Sequence, residues 1–528
     1  MPGLTSSRPL SLLLLVTALF TFLIQSGELG TSDTTHRLQV THSLWTTEPQ
    51  IFPNEFPEAG LRGRGGRLYA QWGIGQSLLM LPADLAATAA SHLPLWRAYV
   101  LSQSDPSIRD ILVSITINIL IDVLTALAAF HLLGLFGFSM PESIAGTLAL
   151  LCATTHLHYA QNMTENNYIL LLTIAGFALQ LKWFMTGNRR ALFWGSAALG
   201  LSLLTRLTTA LDILAAGSFL LLASFFARHE GPPRPRIAIY LRYALPIYAV
   251  FFFLDRLYQY IRFNSWTNTY MAVFAYQHRQ LDPSLPASFP FNGHWVHGGI
   301  DSGLIGPFFS PTKSIFLFDP MVLLALLLTA LLWRRLTPAM RAFLMAAFVL
   351  IVAYAAFYAR FIWWPGDDAW GDRYISSAVE LSTLLTIPLL FRHWRHLAQP
   401  VRYLAVLITA ASVAIQCASL AFWMPLELYQ MDTFGHRTWV VPLRFKNIAA
   451  LALGKREAWG LNTPTMFTDS WDALHITTWN FLPSLLHHIG DAPLWAVHIL
   501  YGVWIAVALA LVFATARLFR VVFRPATD

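Results

Sequence analysis

The sequence has only two cysteines and little charge. Asp, Glu, Lys and Arg make up 12% of its 528 residues, whereas soluble domains have about 25%, so lipid must solvate most of the surface. Cys152 and Cys417 both lie inside apolar runs, which argues against a disulfide framework. No small-x-small cleavage site follows the first apolar run, after Arg8, so we interpret that run as a retained membrane helix.

Long apolar runs are what the sequence has instead. Hydrophobic residues make up 56% of the chain, and the mean hydropathy is +0.52. The runs are continuous and near the length of a bilayer-crossing helix, without the alternation of a membrane strand. The sequence therefore predicts an all-α, polytopic transmembrane helical bundle of about twelve spans. The predicted spans lie near 9–26, 109–133, 142–160, 166–186, 191–206, 208–227, 238–260, 314–333, 341–361, 375–391, 403–424 and 493–515.

The basic residues predict the orientation of these spans. Short cytoplasmic loops are rich in Lys and Arg, and the clusters alternate correctly only if both termini are cytoplasmic. The net charge of +7 follows from this topology, so we expect no nucleic-acid partner. The clusters are Arg8; Lys182, Arg189 and Arg190; Arg228, Arg234, Arg236 and Arg242; Arg334, Arg335 and Arg341; Arg392, Arg395 and Arg402; and Arg517, Arg520 and Arg524.

This topology predicts the organisation of the chain. Residues 1–424 form a transmembrane core whose long loops, 27–108 and 261–313, face the non-cytoplasmic side. A further outer loop, 425–492, precedes the last span and a basic cytoplasmic tail at 493–528. Long aromatic loops on one side indicate a catalytic or binding surface there.

The apolar stretch Gly73–Leu93 is not counted as a span. Counting it would invert every later basic loop, and it contains Pro82 and Asp84. We predict an interfacial helix lying on the membrane.

Charged residues at the outer ends of spans predict the site. Arg and Lys stabilise the charge that develops on a departing phosphate, and a carboxylate can take a proton from an incoming hydroxyl. Two acids and four cations at these positions are therefore suited to a reaction in which a phosphorylated lipid is separated from its head group. They are Asp33, Glu165, Arg206, Arg262, Lys313 and Arg373.

The chain resembles the GT-C superfamily of glycosyltransferases, which contains protein O-mannosyltransferases and the lipid A aminoarabinose transferase. Asp33-Thr34 and the following helical segment resemble the acidic motif that opens the family's first outer loop. Glu165 matches an acid of the next outer turn, and Thr205-Arg206 matches the cation that closes the fifth span. Further similar segments are Leu68–Leu79, Arg262–Tyr270, Ser310–Pro320 and Gly371–Tyr374.

The resemblance implies transfer of a sugar from a polyprenyl-phosphate donor to a glycan, lipid or protein acceptor. Asp33 would be the general base, and Glu165 would orient the acceptor or the sugar. A single displacement would invert the anomeric carbon. The site would face the non-cytoplasmic side of a bacterial inner membrane. The residues expected to hold the phosphate are Arg206, Lys313, Arg373 and Arg262. The substrate-contact candidates are His36, Arg67, Tyr69, Gln71 and Tyr374.

The chain departs from this pattern in two places. Thr34 stands at the second acid of the opening motif, and Gln71 stands where a basic residue is common. The first change weakens a metal site built from paired acids, and the second transfers phosphate binding to Arg67 or Arg206. The histidine pairs His36/His42 and His294/His297 lack a third ligand for zinc. We therefore predict no metal and no other cofactor.

Simpler roles remain open for these residues. Asp33 also suits a helix N-cap, and Glu165 could cap the fourth span. The cations could anchor the protein to lipid head groups, and the run Arg62–Arg67, which lacks the Gly-Lys-Ser/Thr ending of a phosphate loop, suits a basic turn.

A proton-coupled transporter is the alternative function. Asp122, Asp212 and Glu380 lie within predicted spans, where ionisable groups are commonly functional. The sequence shows no inverted repeat and no matched pair of broken helices, which transporters commonly have.

Overall fold

The computed structural model describes residues 7–52, 60–96, 106–227, 237–291, 295–296, 299–366, 369–422, 426–436, 438–460, 478–488 and 492–523. Of the residues named above, Arg228, Arg234, Arg236, Arg524, His294 and His297 lie outside these ranges.

The described chain is mainly helical. A two-stranded antiparallel hairpin, β1 (Gly60–Arg62) and β2 (Leu68–Ala70), interrupts the first long loop. The helices are α1 (Ser7–Ile24), α2 (Ser32–Ser43), α3 (Gly75–Ser91), α4 (Ile108–Leu135), α5 (Met140–Cys152), α6 (His156–Gln161), α7 (Glu165–Thr186), α8 (Arg189–Leu203), α9 (Ala210–Phe226), α10 (Ile237–Phe263), α11 (Tyr270–Leu281), α12 (Gly306–Phe309), α13 (Ile315–Phe318), α14 (Met321–Leu332), α15 (Pro338–Tyr358), α16 (Ser376–Thr383), α17 (Thr386–His393), α18 (Gln399–Ser419), α19 (Leu426–Phe434), α20 (Val440–Ala452), α21 (Leu482–His488) and α22 (Leu494–Phe523).

Seven helices in the described ranges are long and apolar enough to cross a membrane. They are α4, α7, α9 with the turn before it, α10, α15, α18 and α22. The helical membrane architecture predicted from the sequence is thus confirmed, whereas the count of twelve spans is not. Each remaining predicted span contains a helix, but these helices are shorter or interrupted.

The interruptions occur where polar residues meet inside the bundle. The predicted span 142–160 breaks between α5 and α6, and the span 314–333 breaks at Asp319. The backbone N–H of Thr155, freed at the first break, donates to Asp319 Oδ1 at 2.6 Å. The Thr155 hydroxyl donates to Glu380 Oε1 at 3.1 Å. Irregular backbone at membrane depth needs such internal partners, which hydropathy alone does not indicate.

Aromatic rings join the helices at the centre of the bundle. Phe177 of α7 stacks on Phe219 of α9 with ring centres 5.5 Å apart. Phe343 of α15 meets Phe219 edge-on at 5.9 Å and lies 5.2 Å from Phe136. All four side chains are buried. Such ring pairs contribute about 0.5–1.5 kcal/mol each beyond their buried area, so this cluster fixes the packing of four segments.

The outer surface of the bundle is apolar. On α22, Leu509, Val512 and Phe513 are 67%, 68% and 69% exposed. A continuous apolar face of this kind does not face water in a soluble protein. Together with the seven long apolar helices, it shows that the chain is an integral membrane protein.

The first long loop is folded against the bundle. Helix α2 packs on α3, and α3 packs on α4. Helix α3 covers most of the stretch Gly73–Leu93 that was predicted to be an interfacial helix. The carboxylate of Asp84 on α3 accepts a hydrogen bond from Trp45 Nε1 at 2.8 Å and lies 3.0 Å from His42 Nδ1 on α2. These contacts fix α2, and with it Asp33.

Candidate active site

A cavity of about 1670 Å³ opens where the first long loop meets the segments after α10 and α15. The predicted loops 27–108 and 261–313 both contribute to its wall. Seven of the predicted site residues line it: Asp33, His36, Gln71, Glu165, Arg206, Arg373 and Tyr374. Residues far apart in the sequence therefore share one chamber.

Asp33 occupies the first turn of α2. The helix is capped by Thr31, whose hydroxyl oxygen accepts from the backbone N–H of Thr34 at 3.3 Å. Asp33 is therefore not the N-cap. Its Oδ2 accepts instead from Nη1 of Arg373 at 3.0 Å, and its side chain is 19% exposed. The carboxylate is thus both ion-paired and reachable from the cavity.

Glu165 begins α7 and joins two arginines. Its Oε2 accepts from Nη1 of Arg37 at 2.7 Å, and its Oε1 accepts from Nη2 of Arg206. The side chains of Arg37 and Glu165 are 3% and 5% exposed. One buried carboxylate is therefore shared by two guanidinium groups. Because each oxygen already accepts a charge-assisted hydrogen bond, the side chain is fixed in place.

The guanidinium groups of Arg206 and Arg373 both contact the ring of Tyr374. They lie 5.2 Å and 5.3 Å from its centre. The ring itself stacks on Tyr358 of α15 at 4.4 Å, nearly parallel. Cation–π contacts of this kind hold a guanidinium without occupying its N–H donors, and both arginines line the cavity.

Lys313 lies outside this cavity and fixes the segment that carries Arg373. Its Nζ donates to the carbonyls of Ala369 and Gly371 at 2.6 Å and 3.2 Å. In the same segment, Asp372 Oδ1 accepts from the N–H of Tyr374 at 3.0 Å. Burial raises the pKa of Asp372 to about 7, although the Tyr374 N–H and the Lys313 charge lower it. The predicted phosphate ligand Lys313 thus stabilises a neighbouring loop in this structure.

Arg262 is not part of the cavity wall either. Its Nη1 donates to the carbonyl of Ala70 and, at 3.2 Å, to that of Trp72, and the residue is 1% exposed. Tyr69 packs edge-on against Phe263 at 6.0 Å. Arg67 is exposed in the hairpin turn. None of these three predicted residues is part of the cavity wall in the described ranges.

His36, Gln71 and Trp72 form another part of the wall. The His36 and Trp72 rings stack with centres 5.3 Å apart and planes 15° apart. Gln71 is buried, with 8% of its surface exposed. Arg37 lies 5.8 Å from the Trp72 ring centre. This part of the wall is thus polar, aromatic and adjacent to the charged cluster.

Several wall residues were missed by sequence reasoning. Arg37 is the most important, and its partner Glu165 is 128 residues away, so no local pattern indicates it. Asp255 and Gln259 line the cavity from the last turns of α10. Their spacing of four places both on one helix face, and polar residues on one face of a membrane helix were the available signal.

The three intramembrane acids lie elsewhere. Asp122 accepts from the Thr21 hydroxyl at 2.7 Å and pairs with His156 Nε2 at 3.0 Å. Asp212 accepts from the hydroxyl of Tyr354 at 2.6 Å. None of the acids Asp122, Asp212 and Glu380 contributes to the described cavity wall. Their hydrogen bonds connect helices of the bundle.

The described residues contain no group of three His, Cys, Asp or Glu side chains placed to hold a metal ion. The charged residues of the wall that are described comprise five arginines and four acids. They are Arg37, Arg206, Arg279, Arg360, Arg373, Asp33, Glu165, Asp255 and Asp282.

Comparisons with known proteins gave structural similarities at low identity. No family model matches the sequence, and no curated protein matches it. ArnT from Cupriavidus metallidurans, solved bound to undecaprenyl phosphate, is 14% identical with a TM-score of 0.41. The match covers 86% of this chain and 73% of ArnT.

Two structures from Archaeoglobus fulgidus are also similar. The oligosaccharyltransferase in the apo form is 13% identical, with a TM-score of 0.45 and coverage of 89% of this chain and 60% of that one. The oligosaccharyltransferase AglB, in complex with an inhibitory peptide and a dolichol-phosphate, is 12% identical with a TM-score of 0.45. That match covers 87% of this chain and 60% of AglB. At these scores, function must be argued from the residues of the cavity.

Proposed function

We propose that the protein is a GT-C-type membrane glycosyltransferase that moves a sugar from a polyprenyl-phosphate donor to an acceptor. One observation supports this proposal above the others. A single cavity combines an accessible carboxylate, Asp33, with the guanidinium groups of Arg37, Arg206 and Arg373. A base beside several cations is what displacement of a phosphate leaving group requires.

The arginines suit a lipid phosphate. Arg206 and Arg373 both line the cavity, where the Tyr374 ring and a carboxylate hold each guanidinium group in place. Hydrogen bonds from guanidinium to phosphate are charge-assisted and commonly bidentate. We assign the departing phosphate to these two residues. Glu165, whose two oxygens are both occupied, then serves to position Arg206 and not to contact the sugar.

Asp33 is assigned the role of general base. Only its Oδ2 is hydrogen-bonded within the described residues, which leaves Oδ1 to accept the proton of an acceptor hydroxyl. The acceptor oxygen forms a bond to the anomeric carbon as the bond to the phosphate oxygen breaks, and the phosphate leaves with the electron pair. A single displacement of this kind inverts the anomeric carbon.

The predicted topology places this reaction on the non-cytoplasmic face. The cavity is built largely from the loops 27–108 and 261–313, which the positive-inside rule assigns to that side. We extend the proposal to a bacterial inner membrane with both termini in the cytoplasm. Labelling of single cysteines introduced in these loops with an impermeant reagent would reveal their side.

Replacing Arg206 by Met is expected to weaken binding of undecaprenyl phosphate by roughly 10- to 100-fold, because a charge-assisted hydrogen bond contributes about 1.5–3 kcal/mol. The measurement is a titration of the detergent-solubilised protein with undecaprenyl phosphate. Arg392→Met is the matched control, since Arg392 also pairs with a glutamate, Glu142, at 2.7 Å but lies away from the cavity. Equal affinity in wild type and Arg206→Met would contradict the assignment, and a wild type that does not bind the lipid would contradict the proposed function.

A further inference from the structure

The segment Gln71-Trp72 is fixed in the cavity wall by contacts on both sides. The guanidinium of Arg262 donates to the carbonyls of Ala70 and Trp72, which flank Gln71. On the upstream side, Ala70 pairs with Gly60 in the hairpin. Because the peptide groups around Gln71 are held in this way, the backbone from which its side chain projects is fixed.

The downstream side is fastened to the segment that carries Arg206. The N–H of Gly75 donates to the carbonyl of Leu204 at 2.8 Å. A Cβ atom at Gly73 would overlap the same carbonyl oxygen, so only glycine permits this approach of the two backbones. The wall around Gln71 and the arginine cluster therefore form one rigid unit.

What this unit presents is an amide with unused hydrogen-bonding capacity. Gln71 lines the cavity and is 8% exposed, and its buried Oε1 has no hydrogen-bond partner among the described residues. Leaving a buried polar atom unpaired is unfavourable, and in a cavity wall a ligand can supply the missing partner. Beside it, the half-buried Trp72 ring is stacked on His36.

We propose that Gln71 and Trp72 form a subsite for the sugar ring of the donor, with a neutral, hydroxyl-bearing pyranose as its ligand. The inference rests on the proposed function and adds the substrate group that this part of the cavity recognises. An amide both donates and accepts hydrogen bonds, which matches sugar hydroxyls. Trp72, which also lines the cavity, supplies apolar aromatic surface for the C–H groups of the sugar.

The position of the subsite fits the chemistry. Asp33 and His36 are three residues apart on α2, so they share one helix face, and His36 stacks on Trp72. Arg37 reaches Glu165 from the same helix. A sugar ring held at Trp72 would thus lie beside the helix that carries the base, in the cavity that Arg206 and Arg373 also line.

The experiment compares lipids with and without a sugar. Full-length protein in detergent is titrated with undecaprenyl phosphate and with its glucosyl, mannosyl and galactosyl derivatives. We expect the wild type to bind at least one sugar-bearing lipid more tightly than undecaprenyl phosphate. Gln71→Met should remove about three- to tenfold of the affinity for that lipid, as expected for one neutral hydrogen bond. Its affinity for undecaprenyl phosphate should stay within about twofold of wild type, because a neutral amide is replaced by an isosteric thioether.

Two further variants make the result specific. Gln76→Met is the control, because Gln76 is a buried amide of the same segment whose side-chain atoms also have no partner among the described residues, yet it is not in the cavity wall. It should bind every lipid as the wild type does. Trp72→Leu should weaken binding of the sugar-bearing lipid more than Trp72→Phe, which keeps an aromatic face.

The outcomes separate the subsite from the function on which it rests. Failure of the wild type to bind any of the lipids would overturn the proposed function. Binding of undecaprenyl phosphate with no preference for a sugar-bearing lipid would overturn the subsite alone. The subsite would also be overturned if Gln71→Met weakened all lipids equally, or if Gln76→Met gave the same loss.

Discussion

Replacing Asp33 by Asn is expected to reduce sugar transfer by roughly 100- to 10,000-fold, the usual contribution of a positioned general base. Asn has the same shape as Asp but cannot take a proton from the acceptor. Binding of undecaprenyl phosphate should persist or become tighter, because Arg373 loses the carboxylate that now pairs with it at 3.0 Å. Loss of turnover with retained binding is the signature that distinguishes a base from a structural residue.

The measurement is transfer of radiolabel from undecaprenyl-phosphoryl sugars in proteoliposomes supplied with a membrane extract as the source of acceptors. Asp282→Asn is the matched control, since Asp282 lines the same cavity but is bonded to the hydroxyl and N–H of Ser284. It should transfer sugar at the wild-type rate. Full activity of Asp33→Asn would remove Asp33 from the chemistry. Proton-driven solute uptake that is lost in Asp122→Asn would favour the transporter instead.

The sequence predicted which charged residues lie at the ends of spans. It did not predict in which direction their side chains point. Asp33, Glu165, Arg206 and Arg373 were predicted at one membrane face, and the structure places all four around one cavity. Lys313 lies at a similar place in the sequence pattern, yet it turns to backbone carbonyls. Hydropathy predicts how deep a charged residue lies in the membrane. The direction of its side chain depends on tertiary contacts, which the hydropathy pattern does not contain.

Arg262 and Arg37 show the same limit of sequence-based prediction. The first was predicted to belong to the site and the second was not. Arg262 was predicted to bind phosphate, but it donates to the carbonyls around Gln71. Arg37 was not among the predicted site residues, yet it pairs with Glu165 in the cavity wall. Both outcomes depend on the packing of the first long loop against distant segments. The spacing of apolar runs is a local property of the sequence. It therefore predicted the helices but not these pairings.

Replacing Glu165 by Gln is expected to produce the largest loss of stability of any single change in the cavity. The carboxylate joins Arg37 and Arg206, and a Gln side chain would turn an N–H₂ group toward one of them. Breaking a buried ion pair by removing one partner costs about 3–5 kcal/mol, because a buried charge is left uncompensated. The thermal unfolding midpoint of the detergent-solubilised protein should fall clearly, and an unchanged midpoint would contradict the role of the shared carboxylate.

Removing all three charges separates the stability of this cluster from its function. In the triple variant Arg37→Met, Glu165→Met, Arg206→Met no buried charge remains unpaired, and apolar replacement of a buried ionic group is often neutral or stabilising. We therefore expect its thermal midpoint to recover relative to Glu165→Gln, while binding of undecaprenyl phosphate stays weak because Arg206 is absent. Recovery of lipid binding together with stability would show that the cluster only joins α2 to α7. Recovery of stability alone is the result expected if this ionic cluster is kept for binding phosphate.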